Sequence, residues 1–273
     1  MPVPFLDRLA KLASFRTRRP QRIYPTALGV LGIMKNESAI LNEWIRHYLA
    51  MGAGKIYLID NGSTDDTVAK ARAWEARGVV KLVEYHGRHQ QAQHYWRAFQ
   101  ELKIGESCKW LLVADLDEFW FCPDGARITS KLDGLRAFDV IYANWRMFGS
   151  NGLERQPDSV RESFTLAAPG VAGHGERKYI CRTAVVTSPR SLGIHSVTGA
   201  CSSRTISDNQ TFHLNHYPIQ SREFFAKVKM TRGSADQAQF ENIRDWDYFA
   251  RYDAPCTSED RLLADLVTRG ALG

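Results

Sequence analysis

Along the first 120 residues, short apolar runs alternate with stretches whose apolar positions recur every three or four residues, and polar residues gather where the runs end. Thr26 to Met34 (TALGVLGIM) stops at Lys35-Asn36-Glu37, which reads as a buried strand and a polar turn. From Ser38 to Met51, Ile40, Leu41, Trp44, Ile45, Tyr48 and Leu49 fall at helical spacing, with Gly52 as the stop. Lys55 to Asp60 (KIYLID) is a second strand, and Asn61-Gly62-Ser63 turns the chain. Ser63 or Thr64 is placed to cap the next helix, with Asp65 and Asp66 in its first turn. That helix runs to about Arg77, Gly78 ends it, and Val79 to Glu84 is a third strand. Residues 90–103 read as helix, and Lys109 to Asp115 (KWLLVAD) as a fourth strand, almost fully apolar.

Strands and helices alternating at this spacing predict an α/β fold: a mostly parallel, Rossmann-like sheet with helices on both faces. Such sheets bind ligands at the carboxyl ends of their strands. Lys35-Asn36-Glu37, Asp60-Asn61 and Asp115-Leu116-Asp117-Glu118 each sit at such an end. After about residue 120 the rhythm changes. Asp139 to Trp145 reads as a strand, loops with Gly149, Gly152, Gly170, Gly173 and Gly175 follow, and a helical pattern returns from Ser221 to Arg232. The division expected is a basic segment over 1–22 and one domain over 23–273, with a ligand-binding half (23–120) and a second half (121–273) that extends the sheet.

Composition narrows the class. With 273 residues, 44% hydrophobic and 24% charged, the chain can bury a sizeable core. The net charge of +6 is concentrated in the first 22 residues, where Arg8, Lys11, Arg16, Arg18, Arg19 and Arg22 face one acid, Asp7. The remainder is close to neutral, which argues against nucleic acid as a partner. Phe5, Leu6, Leu9, Leu12 and Ala13 share a helical face, so residues 5–22 read either as a surface helix packed on the domain or as a peripheral contact with the inner face of a membrane. Five scattered cysteines without a CxxC pair point to a reducing compartment. No run approaches the ~20 apolar residues of a membrane span, and a cytoplasmic location is the expectation.

The chemistry concentrates at the fourth strand. In an extended segment, Asp115 and Asp117 project to one side, and two hard oxygen ligands suit magnesium or manganese shared with substrate phosphates. The bland alternative is a solvated strand end with a capping aspartate. Lys178, beside Arg177, reads either as a phosphate-facing cation or as part of a basic turn. Trp145 and the loop Phe148-Gly149-Ser150-Asn151-Gly152 read as a platform for a sugar ring, or as a core tryptophan and an ordinary turn. Trp120 and Phe121 are open to the same two readings. Among the later histidines, His213 and His216 face opposite ways on a strand over Thr211 to Tyr217, so they cannot chelate together. His86, His89 and His94 surround Gln91 and Gln93 in a polar stretch that either lines the ligand-binding edge or forms a loop.

Lys35-Asn36-Glu37, Glu43-Trp44, His47-Tyr48, Asp60-Asn61-Gly62-Ser63-Thr64-Asp65 and Asp115-Leu116-Asp117-Glu118-Phe119 stand in an order that resembles the family-2-like glycosyltransferases, close to the family 92 branch. Trp145 with the loop from Phe148 to Gly152, and His216-Tyr217 with Ser221 and Lys227, resemble the same branch, so the likeness spans roughly residues 27–235. The resemblance implies a GT-A fold, a nucleotide-diphosphate sugar donor (UDP in many relatives), a divalent metal, Mn2+ or Mg2+, and a glycan or glycolipid acceptor. It places Lys35, Asn36, Glu37, Asp60, Asn61, Gln93, Asp115 and Lys178 around the donor. Asp115, Asp117 and His216 would hold the metal, and Trp145, Phe148, Gly149 and Ser150 would face the acceptor. It favours inversion, for which Glu118, Glu176 and Asp208 are the acids that could take a proton beside Asp117. A bacterial role in surface polysaccharide or lipopolysaccharide synthesis is a further implication. Two competing expectations are a nucleotidyltransferase on a similar sheet, disfavoured because Met34-Lys35-Asn36-Glu37 is not glycine-rich, and a non-catalytic membrane-peripheral module.

Overall fold

The computed structural model describes residues 23–87, 90–173, 175–232 and 244–271. The basic segment 1–22, with its membrane reading, and His89 lie outside the described residues. The strands are β1 (Thr26–Met34), β2 (Lys55–Asp60), β3 (Val80–Glu84), β4 (Cys108–Val113), β5 (Glu118–Phe121), β6 (Val140–Met147), β7 (Leu166–Ala167), β8 (Arg177–Arg182), β9 (Thr205–Ser207), β10 (His213–His216) and β11 (Ser258–Glu259). The main helices are α1 (Ser38–Ala50), α2 (Thr67–Ala76), α3 (Gln91–Glu101), α4 (Ile128–Gly134), α5 (Trp246–Asp253) and α6 (Leu262–Thr268).

One large sheet runs in the order β3-β2-β1-β4-β8-β6-β10-β5, with β9 beside β6. Strands β1 to β4 pair in parallel, as the alternating pattern requires. The change of rhythm after residue 120 is a change of direction: β8 is antiparallel to both β4 and β6, β10 is parallel to β6, and β5 is antiparallel to β10. Both faces of the first half are covered, so its strands are apolar on both sides. Leu28, Val30, Ile56, Leu58, Trp110 and Leu112 pack with Trp44, Tyr48 and Trp74 of α1 and α2. The alternate positions Leu31, Tyr57, Ile59, Leu111 and Val113 pack with Tyr95, Ala98 and Phe99 of α3. Truncating Leu112, which is fully buried, to alanine would cost about 2–5 kcal/mol. At Gly32 a Cβ would stand 3.1 Å from the Trp44 ring and from the Ala114 carbonyl, so glycine is what allows α1 to approach the strand ends.

Three local expectations are corrected. Helix α2 starts at Thr67, not at a Ser63 or Thr64 cap, because those two residues hydrogen-bond to the turn after β1. The helix expected over Ser221–Arg232 forms over Arg222–Lys229 but is not regular: its first turn, Arg222–Phe224, passes directly into a π-turn, Phe225–Lys229, closed by Met230 N–H donating to the Phe225 carbonyl at 2.9 Å. The segment Asp115–Glu118 is not extended but a tight turn, with Glu118 N–H donating to the Asp115 carbonyl at 3.1 Å. The two aspartates therefore do not share one side by strand alternation. Among the described residues no helix is long and apolar enough to cross a membrane.

Candidate functional site

Three loops leave the parallel strands at one edge. After β1, Asn36 takes a positive φ of 54°, and its side-chain carbonyl accepts Thr64 N–H at 2.7 Å while its own N–H donates to Ser63 Oγ at 2.9 Å. The turns after β1 and β2 are thus one unit, and Asn61 joins it through its N–H on the Met34 carbonyl. Asp60 is buried; its Oδ2 accepts Gly62 and Ser63 N–H, both at 3.0 Å, while its buried Oδ1 has no hydrogen-bond partner. Glu37 is buried too: Arg232 donates to Oε1 at 2.6 Å, and Oε2 has no partner. Arg232 also donates to the Lys35 carbonyl, and its Nε is left without a partner. Buried polar atoms in folded chains are nearly always paired, so these three at one edge mark a place prepared for a ligand.

The loop after β4 is fixed by one face of α1. Trp44 Nε1 donates to the Asp115 carbonyl at 2.9 Å, Tyr48 OH to the Glu118 carbonyl at 3.0 Å, and His47 Nε2 to the Trp120 carbonyl at 2.8 Å. Burial lowers His47 to about 3, so the ring is neutral. Its other nitrogen then accepts from Arg161, at 3.3 Å, which is itself paired with Glu43 at 2.9 Å. The motifs Glu43-Trp44 and His47-Tyr48 hold the aspartate loop in place from behind.

Each acid of that loop has its own partners. Asp115 Oδ2 pairs with Lys178 at 2.8 Å, and Oδ1 accepts from Gln91 at 3.2 Å and Tyr95 at 3.4 Å. Burial pushes the Asp115 carboxyl up, but Lys178 outweighs it and holds it below the usual range. Asp117 pairs with Lys229, and its Oδ1 lies 3.7 Å from His216 Nε2. Burial is again outweighed, here by Lys229 and His216, and Asp117 stays well below the usual range. Glu118 is fully buried: Oε2 accepts Asp115 N–H at 2.9 Å, Oε1 accepts the Trp145 indole N–H at 2.8 Å, and Lys178 lies at 3.8 Å. Burial and the neighbouring aspartates raise its carboxyl, while the two N–H donors and Lys178 favour the charged form. Trp145 joins Glu118 to His216, whose ring centre lies 4.3 Å from its own, and His195 meets Trp145 edge-on at 5.4 Å.

The structure brings Lys35, Asn36, Glu37, Asp60, Asn61, Asp115, Asp117, Lys178, His216 and Trp145 to this edge. Several expected residues are elsewhere or otherwise engaged. Gln93 is exposed on α3, because helical spacing turns Gln91 and Tyr95 toward Asp115. Glu118 faces no acceptor, since both oxygens hold the protein itself. Asp208 caps its own turn, accepting Gln210 and Thr211 N–H at 3.0 and 2.7 Å. Phe148 and Ser150 are buried and so present no sugar platform: Phe148 packs on Tyr217 at 4.8 Å, and Ser150 N–H donates to Asp253. Gly149 is where a Cβ would meet Cys256 Cβ at 2.7 Å, a docking point for the end of α5. Trp120 and Phe121 are core, and His213 packs on Phe121 at 5.5 Å, away from His216, as the opposite-face expectation required. Lys227 is exposed and pairs with Glu223; Lys229, not singled out by the sequence pattern, reaches Asp117 because the π-turn inserts an extra residue.

Whether a divalent metal fits is decided by donor chemistry. Among the described residues no three His, Cys, Asp or Glu side chains converge for one ion. Asp117 Oδ1 and His216 Nε2 do face each other, one carboxylate and one imidazole, which fits manganese or magnesium held partly by phosphate oxygens. Asp115, committed to Lys178, Gln91 and Tyr95, fits that role less well.

A sheet with acids, amides and lysines gathered at the carboxyl ends of its parallel strands defines an α/β protein of the kind that binds ligands at that edge. The chain belongs to glycosyltransferase family 92: residues 31–254 match that family. It is similar to a family 92 protein of Oryza sativa subsp. japonica, 26% identical over 149 residues, covering 51% of this chain and 25% of the relative. A family 92 protein of Ricinus communis is 24% identical over 143 residues, covering 49% of this chain and 25% of that protein. The chain spans about a quarter of the length of these curated relatives. Among solved structures, S. aureus TarS 1-349 in complex with UDP is similar at a TM-score of 0.44 and 17% identity, over 83% of this chain and 70% of that one.

Proposed function

We propose that the chain is a nucleotide-sugar glycosyltransferase whose donor lies across the ends of β1, β2 and β4. The observation that carries this is the pair of buried carboxylate oxygens, Asp60 Oδ1 and Glu37 Oε2, left without partners at the edge where Asp117 and His216 face each other. A nucleoside supplies N–H and O–H donors for such oxygens, and its diphosphate supplies the remaining ligands of a cation. UDP is the nucleotide to test first, following the family resemblance. Asp60 accepts from the base or ribose, the linked turns at Asn36 and Ser63 shape the nucleotide wall, and Lys178 keeps Asp115 ionised beside the ribose. Asp117 and His216 would hold the divalent ion, which supplies charge stabilisation for the departing diphosphate. Trp145 stands between Glu118 and His216 as the wall nearest the sugar.

For an inverting transfer to a glycan or glycolipid hydroxyl, the base is Glu176. It is exposed at the bend that leads into β8, two residues before Lys178, and its carbonyl accepts Trp145 N–H at 3.0 Å. Glu118 is sealed in the protein and Asp208 is bound to its own turn. The test is a panel of nucleotide sugars with manganese, read by protection from thermal unfolding and by release of the nucleotide diphosphate. Protection and turnover with one donor, both lost in Asp117→Ala, are expected; equal indifference to every donor would overturn the reading. Glu176→Gln should lower kcat and leave donor binding in place.

A further inference from the structure

We propose that Lys229 is an exchangeable counter-ion: it holds Asp117 while no donor is bound and passes to the donor diphosphate when a divalent ion takes its place on the carboxylate. The inference rests on the donor reading above and adds a residue that the sequence motifs do not mark.

Lys229 is 3% exposed, and its ammonium sits on Asp117 Oδ2, the same carboxylate whose Oδ1 faces His216. A dication at Asp117 and His216 therefore meets an ammonium already in position. The two cannot share the carboxylate without strong repulsion, since like charges a few ångströms apart in a water-poor site are poorly screened. Released from Asp117, the ammonium has few local acceptors. Arg232 and Arg244 push against its charge, and the nearby acid Glu37 carries Arg232 on Oε1 and, in the donor reading, gives its remaining oxygen, Oε2, to the nucleoside. A buried ammonium without an anion is costly, so its release needs an incoming one. The donor diphosphate, arriving with the metal, is that anion.

The backbone of Lys229 fits this exchange. The π-turn Phe225–Lys229 places Phe225 and Lys229 both inward, and the following Arg232 reaches Glu37 and the Lys35 carbonyl. One short segment thus carries two cations across two strand-end loops, those after β1 and β4. π-turns cost helical regularity and recur at functional sites. Arg232 Nε, on the same guanidinium, is buried without a partner.

The consequence is that metal and diphosphate bind better together than their shared ligands alone explain, and that part of this coupling belongs to Lys229. The experiment measures Mn2+ binding by the paramagnetic resonance signal of free Mn2+, with and without UDP. It compares the full chain, Lys229→Met, Lys229→Arg, and the exposed control Lys227→Met. Lys229→Met should bind Mn2+ alone about tenfold more tightly than the parent, and its gain on adding UDP should shrink by about the same factor, within the usual range of coupled sites. Lys229→Arg and Lys227→Met should follow the parent, and melting curves identify any variant that has lost its fold. Unchanged or weaker Mn2+ binding in a folded Lys229→Met, with the parent still binding Mn2+ and UDP, overturns the exchange alone. A parent that binds neither overturns the donor reading itself.

Discussion

Replacing Lys178 with methionine removes one buried charge and keeps most of the side-chain volume. Its ammonium has no exposure and serves two acids, Asp115 Oδ2 at 2.8 Å and Glu118 Oε1 at 3.8 Å. Breaking a buried pair by deleting one partner costs about 3–5 kcal/mol. Gln91 and Tyr95 still donate to Asp115, so the lower end, about 3 kcal/mol, applies. At about 2–4 °C per kcal/mol for a domain near this size, the melting temperature should fall by about 6–12 °C. The pH dependence carries the sign. In the parent, Asp115 is held below its usual 3.8, so it contributes stability that is present above that value and lost as pH falls through the lower folded one. In the variant, burial and the neighbouring Asp117 outweigh the remaining donors and raise Asp115. Its penalty is then full at neutral pH and fades as pH falls toward 3.8. The contribution of Lys178 itself, whose value is raised above 10.5, changes only in alkali. Urea unfolding at about pH 7 and about pH 4.5 reads both effects. A loss below about 1 kcal/mol at neutral pH, or one that grows with acid, would refute the reasoning.

Other perturbations separate anchoring from chemistry. Trp145→Phe removes the indole N–H from Glu118 and should cost about 1.5–3 kcal/mol by urea unfolding, with weaker Mn2+–UDP binding in calorimetry. Gly149→Ala sets a Cβ against Cys256 and Asp253, so melting should show a loss of about 1–3 kcal/mol. Asp208→Asn keeps the side-chain oxygen that caps residues 210 and 211, so both turnover and melting should stay close to the parent, which a role as base would not allow.

The parallel half of the fold was legible because its strands are buried on both faces. Thr26–Met34 and Lys55–Asp60 are apolar runs, and the strands end where the runs end. The polar clusters at their ends follow from the same pattern, which is why Asp60, Glu37 and Asp117 could be placed in advance. Periodicity failed where local geometry departs from the regular element. A tight turn at Asp115–Glu118 replaces the extended segment, and its two aspartates take different partners, Lys178 and Lys229. A π-turn swaps Lys227 for Lys229. On α3, three-to-four spacing was there to be read, and it selects Gln91 over Gln93. Phe148 and Ser150 were misplaced because their burial depends on Tyr217 and Asp253, distant in sequence, and no local pattern carries that information.

The central claim, that Asp117 and the strand-end acids grip a metal-bound nucleotide diphosphate, is met most directly by calorimetric titration of UDP into the parent and into Asp117→Asn, each with and without manganese. Heat of binding that requires manganese in the parent and disappears in the variant is the predicted result. UDP binding of equal strength in all four titrations would contradict it.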